Sequence, residues 1–284
     1  MSRPLTWITG AGGLIGHQLL QSAAAHASGW IVRGLTRQEL DLTDFAAVRT
    51  AFNDDNPALV IHCAAMSKSP VCEKDPALAH RINVEATNHL AELAANIPFV
   101  FFSSDLVFDG QQGNYDESAA PNPLSVYSRT KAGAERVVLA NPKHTVIRTS
   151  LNGGISPTGD RGFNEEIRRA WQQGRTLTFF TDEFRCPIPV TATARAVWEL
   201  VAINRPGLYH LAGSERLSRW QIGQLLAARW PQLDAKMTAG SLKDYRGAPR
   251  SPDTSLNCAK IQKLLSFPLP SFSEWLKANP HEPF

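Results

Sequence analysis

Short apolar runs alternate along this chain with longer stretches whose apolar positions recur at helical spacing. Leu5 to Thr9 is a buried-strand candidate, and Ile15, Leu19, Leu20 and Ala23 behind it fall on one helical face. Trp30 to Leu35 reads as a second strand, and Thr43 can cap a helix carrying Phe45, Val48 and Phe52. Leu59 to Ala64 reads as a third strand. Pro76 to Ala95 reads as one long helix with Ala79, Ile82, Ala86, Leu90 and Leu93 turned inward. Phe99 to Ser103 is apolar on both faces, which is how a central strand of a parallel sheet reads. A helix over Tyr127 to Leu139 and a strand over His144 to Arg148 complete the series. The alternation predicts an α/β fold, a doubly wound parallel sheet of the Rossmann kind.

After Thr149 the rhythm changes. Asn152 to Gly162 holds four glycines and a proline and reads as a loop. Phe163 to Gln173 and Thr191 to Ile203 read as helices, and Gly207 to Leu211 as a strand that returns to the sheet. Ser218 can cap a helix running through Arg229. The expected division is a dinucleotide-binding domain over residues 1–150, its sheet completed by about 190–213. A smaller substrate lobe would take residues 151–189 and 214–284.

Composition narrows the function classes. The chain has 284 residues, 43% hydrophobic and 19% charged, an ordinary foldable mixture that excludes a disordered or disulfide-dense protein. Lys plus Arg is 29 against 26 for Asp plus Glu, and the basic residues form no run, so no nucleic-acid stripe is expected. No stretch reaches the roughly 18 apolar residues of a membrane helix. Met1 to Thr9 lacks the features of a signal peptide, so a cytoplasmic location is expected. The four cysteines are far apart and the eight histidines show no metal-ligand spacing, so no metal is expected. His62, inside an apolar strand, reads as a hydrogen-bonded core histidine.

Three motifs carry chemistry. Thr9-Gly10-Ala11-Gly12-Gly13-Leu14-Ile15-Gly16 follows the first strand and opens the first helix. Glycines there allow a tight turn and close backbone approach to a pyrophosphate, which the helix N-terminus attracts. After the second strand, Arg33-Gly34-Leu35-Thr36-Arg37 contains no acid and two arginines. Arginine suits a 2′-phosphate, so NADP(H) is the preferred dinucleotide and NAD(H) the second choice. Asp41 and Leu42 lie further on, at the adenine end. Tyr127 and Lys131 are four apart on one helical face, and a nearby ammonium lowers the pKa of a phenol. Ser103, Ser104 and Asp105 sit at the carboxyl end of the fourth strand, where open α/β sheets bind ligands.

Taken together, Thr9-Gly10-x-x-Gly13-x-x-Gly16, Ser104 and Tyr127-x-x-x-Lys131 resemble the extended short-chain dehydrogenase/reductase pattern. Ser103 to Gly110, Tyr115 to Glu117, Pro123 to Tyr127 and Arg148-Thr149-Ser150 are similar to segments of its dTDP-4-dehydrorhamnose reductase branch. The resemblance runs from about residue 5 to 213. It implies that Tyr127 donates a proton to a keto oxygen, that Lys131 lowers its pKa and binds ribose, and that Ser104 orients the carbonyl. Asn83 matches a helix asparagine that the superfamily uses near that lysine. Ala64, Ala65, Ser103 and Thr149 would line the cofactor, with Ser67, Asp105, Leu106 and Arg185 toward the substrate. Arg246 and Arg250 are further candidates for a diphosphate.

The sequence departs from that branch around the sugar. Leu106 replaces an aromatic residue, Ala64 to Pro70 lacks an acid, and Leu151 replaces a tryptophan. The expectation is an NADP-preferring reductase of a nucleotide-linked keto-sugar, a homodimer by resemblance. Two alternatives stand beside it. One is another enzyme of the superfamily, such as a sugar-nucleotide epimerase. The other is a non-enzymatic regulator like the beta subunit of methionine adenosyltransferase.

Overall fold

The computed structural model describes residues 3–284. Its body is a six-stranded, wholly parallel sheet with helices on both faces, as the alternating pattern predicts. The strands are β1 (Leu5–Thr9), β2 (Ile31–Leu35), β3 (Leu59–His62), β4 (Phe99–Ser104), β5 (His144–Thr149) and, much later, β10 (Gly207–Leu211). Their order is β10-β5-β4-β3-β1-β2, so the chain switches direction across the sheet between β1 and β3. Ligands in open α/β sheets bind outside the carboxyl ends of the strands at such a switch.

Both faces of the sheet are buried, and the period-2 pattern divides them. Ile8, Ile61, Phe102 and Ile147 face a core with Leu19 of helix α1 (Leu14–His26) and Trp198 of α8 (Val190–Ile203). Trp7, Val60, Phe101 and Val146 face the opposite core. That side is covered by α2 (Phe45–Asp55), α5 (Ala86–Leu93) and α6 (Val126–Leu139). The Trp198 indole also donates to the Leu19 carbonyl at 3.3 Å, tying α8 to α1.

Three local expectations are corrected. The cap of α2 is Asp44, whose carboxylate accepts from Ala47 N at 3.0 Å. Thr43 instead turns its N–H and hydroxyl to Asp41, at 2.9 and 2.8 Å, and so ends the preceding turn. The single long helix is broken. A short helix α3 (Ser69–Lys74) precedes α4 (Pro76–His80), and a π turn over Arg81–Glu85 separates α4 from α5. The extra residue of that turn rolls Asn83 inward, where it is buried. The third strand ends at His62, so Cys63 and Ala64 lead into a loop.

Beyond α8, β10 and the segment of Ile261 and Leu269, which join the sheet and its core, the second half gathers around a core of its own. It holds small strand pairs: β6 (Asn152–Gly153) with β9 (Ile188–Pro189), β8 (Phe184–Arg185) with β11 (Leu217–Ser218), and β7 (Leu177–Phe180) with β12 (Met237–Gly240). Helices α7 (Phe163–Gln172), α9 (Arg219–Arg229), α10 (Ala259–Gln262) and α11 (Phe272–Ala278) complete the chain. The lobe's own core gathers Trp171, Ile222, Leu226, Phe272 and Phe284. Ser218 caps α9 in a capping box with Gln221. Among the described residues no helix is long and apolar enough to cross a membrane.

One buried ion pair fixes the helix that matters most to the site. Arg148 on β5 donates from Nε and Nη2 to the Glu135 carboxylate on α6, at 2.9 and 2.7 Å. Both side chains are about 3% exposed. Removing one partner strands the other charge in the interior. Glu135→Ala is therefore expected to cost roughly 3–5 kcal/mol of unfolding free energy. Urea denaturation checks this, and a loss no larger than that of a surface substitution contradicts it.

Candidate active site

The glycine-rich segment folds as a cradle. Gly10 has φ +71°, and a Cβ on it would lie 2.6 Å from Ala64 N. A Cβ on Gly16 would lie 2.4 Å from the Gly10 carbonyl oxygen, so glycine lets α1 begin directly behind the turn. Gly12 differs, since a Cβ there meets only Thr36 Cγ2 at 3.8 Å. That side is open and lies between the α1 N-terminus and the end of β2. Leu14 lies under the lobe loop, close to Gly154 and Gly162. Ile15 packs into the core, so only its backbone can serve a ligand.

Ser103, on β4 two strands across the sheet from β1, has a buried hydroxyl with no hydrogen-bond partner. A dipole–lined helix start, an open glycine face and an unpartnered buried hydroxyl fit a dinucleotide. Arg37 projects from the β2 end with its side chain 78% exposed, and only Asp41, at 3.7 Å, pairs with it. Arg33 is committed to an ion pair with Asp55. Leu42 packs against the core. The Thr149 hydroxyl is also committed, donating to the Leu211 carbonyl at 2.7 Å and accepting from Asn152 at 2.9 Å. It joins sheet to lobe and has no donor left for a cofactor.

Ser104, Tyr127 and Lys131 lie beside this cradle, all buried. Ser104 ends β4 and Tyr127 opens α6, whose start is held by a capping box between Ser125 and Ser128. The Val126 N–H donates to Glu73 at 2.6 Å, which fixes the entry to the helix. Burial pushes the Tyr127 phenol well above its ordinary range, and hydrogen bonding by Ser104 opposes the rise. Ser104 also holds the local turn: it donates to Asp105 Oδ1 at 3.1 Å and accepts from Leu106 N at 3.2 Å.

Lys131 lies over the Phe101 ring, 4.0 Å from its centroid. Desolvation lowers its pKa to about 7, with Glu135 and Cys63 pulling the other way. The sequence suggested that Lys131 lowers the pKa of Tyr127. In the structure burial acts first on the phenol and raises its pKa, with Asp105 and Cys72 adding to the rise and Ser104 opposing it. Lys131 is also close enough to His62 to reinforce the lowering of that histidine's pKa.

Asn83 does not bond to its own helix. Its amide accepts from Met66 N at 2.8 Å and donates to the Met66 carbonyl and to Thr130, at 3.1 and 2.9 Å. It pins the loop after β3, where Ala64 and Ala65 lie, to the helix that carries Tyr127. His62 is a satisfied core histidine, between Thr9 at 2.6 Å and Thr87 at 3.0 Å, and burial lowers its pKa to about 3. Ser67 is exposed at the loop tip, next to Lys68, which pairs with Glu166 of α7 at 2.8 Å.

Asp105 joins the sheet to the lobe. Its carboxylate accepts from Ser150 at 2.8 Å and Thr254 at 2.9 Å, with Arg185 Nε at 3.7 Å. Burial still raises its pKa, Arg185 opposing most strongly. Arg185 is thus turned inward to Asp105 and to Glu183, at 2.9 Å, rather than left open for a substrate. Arg250 pairs with the same Glu183 at 2.8 Å. Arg246 is exposed and donates to neighbouring carbonyls. Sequence reasoning missed Arg219, the first residue of α9. Burial lowers its pKa to about 10, and Glu183, Arg250, Arg185 and Asp105 surround it. Two carboxylates here face three guanidinium groups. The only sequence signal was its place directly after the Ser218 cap.

The family model described as "RmlD substrate binding domain" matches residues 5–281. The chain is 28% identical to methionine adenosyltransferase 2 subunit beta of Xenopus laevis, covering 90% of this chain and 81% of the relative. It is 30% identical to a probable low-salt glycan biosynthesis reductase of Haloferax volcanii, over 77% of each chain. A dTDP-4-dehydrorhamnose reductase structure from Clostridium acetobutylicum superposes with a TM-score of 0.87 at 26% identity. It covers 96% of this chain and 97% of that one.

The lowered pKa of Lys131 has a stability consequence. An unfolded lysine keeps its proton to about pH 10.4, whereas the folded one releases it near 7. Between these values the unfolded state binds more protons, so unfolding free energy rises with pH across this window. Wild type is expected to gain stability relative to Lys131→Met as pH goes from 7 to 10, measured by chemical denaturation. A difference that stays flat over that range contradicts the assignment.

Proposed function

The chain belongs to the RmlD substrate binding domain family, in the dTDP-4-dehydrorhamnose reductase-like branch of the extended short-chain dehydrogenases/reductases. From that premise we propose that it is an NAD(P)-dependent reductase of a nucleotide-linked keto-sugar, with NADP(H) preferred and Tyr127 as proton donor. The observation that carries this reading is the pairing of buried Ser104, at the carboxyl end of β4, with buried Tyr127, whose phenol it meets by hydrogen bonding. The reading includes the division into a body of residues 1–150 and 190–213 and a substrate lobe of 151–189 and 214–284. A homodimer, on family resemblance, and a cytoplasmic location are part of it too.

In this reading the cradle of Gly10, Gly13, Leu14 and Gly16 holds the pyrophosphate, and Arg37 meets a 2′-phosphate. A nicotinamide dinucleotide bound there supplies the hydride that a keto carbon takes up. Ser104 donates to the keto oxygen and fixes its direction. Tyr127, held protonated by burial, gives its proton to that oxygen, which becomes the hydroxyl. The phenolate left behind regains a proton from solvent. Asn83 ties the β3 loop to the helix that carries Tyr127, and Lys131 would bind the nicotinamide ribose. Arg250 and Arg219, beside Glu183, are the guanidinium groups on the lobe side suited to a diphosphate.

The likeness to methionine adenosyltransferase 2 subunit beta favours one second reading, a binding protein that assists a partner. One variant separates the two. Tyr127→Phe is expected to lose about 100-fold or more of turnover with a panel of nucleotide-linked 4-keto-sugars. Its dinucleotide affinity should stay within about threefold, an order-of-magnitude allowance for a change made away from the phosphate cradle. Undiminished turnover in the variant, or none by wild type across the panel, sinks the reductase reading.

A further inference from the structure

Ser104 has one proton and more than one use for it. Its hydroxyl carries a single hydrogen and two lone pairs. One lone pair takes the Leu106 N–H at 3.2 Å. The hydrogen goes to Asp105 Oδ1 at 3.1 Å. With the hydrogen spent there, Ser104 offers a keto oxygen only a lone pair, and that oxygen needs a donor. The two oxygens of Asp105 are unlike. Oδ2 is saturated, accepting from Ser150 at 2.8 Å and from Thr254 at 2.9 Å. The Arg185 guanidinium also stands on the Oδ2 side, at 3.7 Å, and lies closer to Glu183, at 2.9 Å. Oδ1 has Ser104 as its one hydrogen-bond partner among the described residues. A proton on Asp105 therefore belongs on Oδ1, directed at Ser104.

Resting on the reductase reading, we propose that Asp105 is a positioning residue that acts through Ser104: with a proton on Oδ1 it donates to Ser104 Oγ, and this turns the Ser104 hydrogen toward the keto oxygen. Ser104 then accepts from Leu106 N and from Asp105, and gives its own hydrogen bond to the substrate. With Asp105 ionised, the hydrogen swings back to Oδ1 and the keto oxygen loses that donor. The Asp105 proton is not consumed, since the proton that ends on the product hydroxyl comes from Tyr127. The surroundings favour the neutral acid. Asp105 is 4% exposed, and burial raises its pKa. The charged and titratable groups that face it are Arg185 on β8 and Cys186 after it, Arg219 on α9 and Tyr127 on α6. Arg185 opposes the rise, but Glu183 shares its charge.

Asparagine copies the protonated acid, because its amide donates to Ser104 while its carbonyl accepts from Ser150 and Thr254. The readout is the pH profile of kcat, with reduced dinucleotide and a nucleotide-linked 4-keto-sugar that wild type turns over. Wild-type kcat is expected to fall as pH rises through the ionisation of Asp105. The fall should be about tenfold per pH unit until about 100-fold is gone, the size of one lost oxyanion donor. Asp105→Asn should lack this limb. Thr254→Val keeps Asp105 and removes a hydrogen bond that favours its anion, so the limb should move to higher pH. Lys131 also titrates, near 7, but a limb of its making would survive Asp105→Asn. A limb that persists in Asp105→Asn, or fails to move in Thr254→Val, overturns the role of Asp105 and leaves the reductase reading standing. So does an Asp105→Asn protein that binds dinucleotide yet turns over at no pH. No turnover by wild type across the panel of keto-sugars overturns both.

Discussion

The cleft depends on one buried carboxylate. Asp105 follows the last residue of β4, and water is excluded from it. A lone carboxylate there would be costly, so the fold surrounds it with Ser104, Ser150, Thr254 and the Arg185 guanidinium. Those partners come from the strand end itself, from the segment after β5, from β8 and from the C-terminal region. Satisfying one charge thus brings the lobe down onto the sheet and holds Ser104 at its edge. Desolvation still outweighs the partners enough to raise the Asp105 pKa.

The second constraint is the Arg148–Glu135 pair, which clamps α6 to β5. Tyr127 and Lys131 ride on that helix. The clamp and the Asp105 network meet at the pocket from opposite sides, one setting the helix and the other the strand end. Asn83 adds the third side by pinning the loop after β3. What results is a buried phenol whose environment favours the protonated form. A general acid needs that form.

Much of this was legible in the chain. Strands apolar on both faces, such as Phe99 to Ser104, announce a covered parallel sheet, and the glycine spacing announces the cradle. The π turn was not legible, because one inserted residue leaves the apolar period of Pro76 to Ala95 almost intact while rolling Asn83 inward. The two-residue strands of the lobe are too short to carry a period. Arg185 read as an open phosphate ligand because its partner Asp105 is distant in sequence and nothing local reveals the pairing. The sheet and cradle follow from local pattern, whereas the charge partnerships that tune the site are long-range.

The central claim is that the pocket holds Tyr127 as a phenol. The chain has four tyrosines, so their ionisation can be separated by difference. The most direct measurement is the ultraviolet pH titration of wild type minus that of Tyr127→Phe. A tyrosine in water ionises near pH 10. The account predicts that the difference spectrum shows no phenolate from Tyr127 up to at least about pH 10. A phenolate appearing around pH 7 would contradict it, because the pocket would then stabilise the anion that the lysine was first expected to favour.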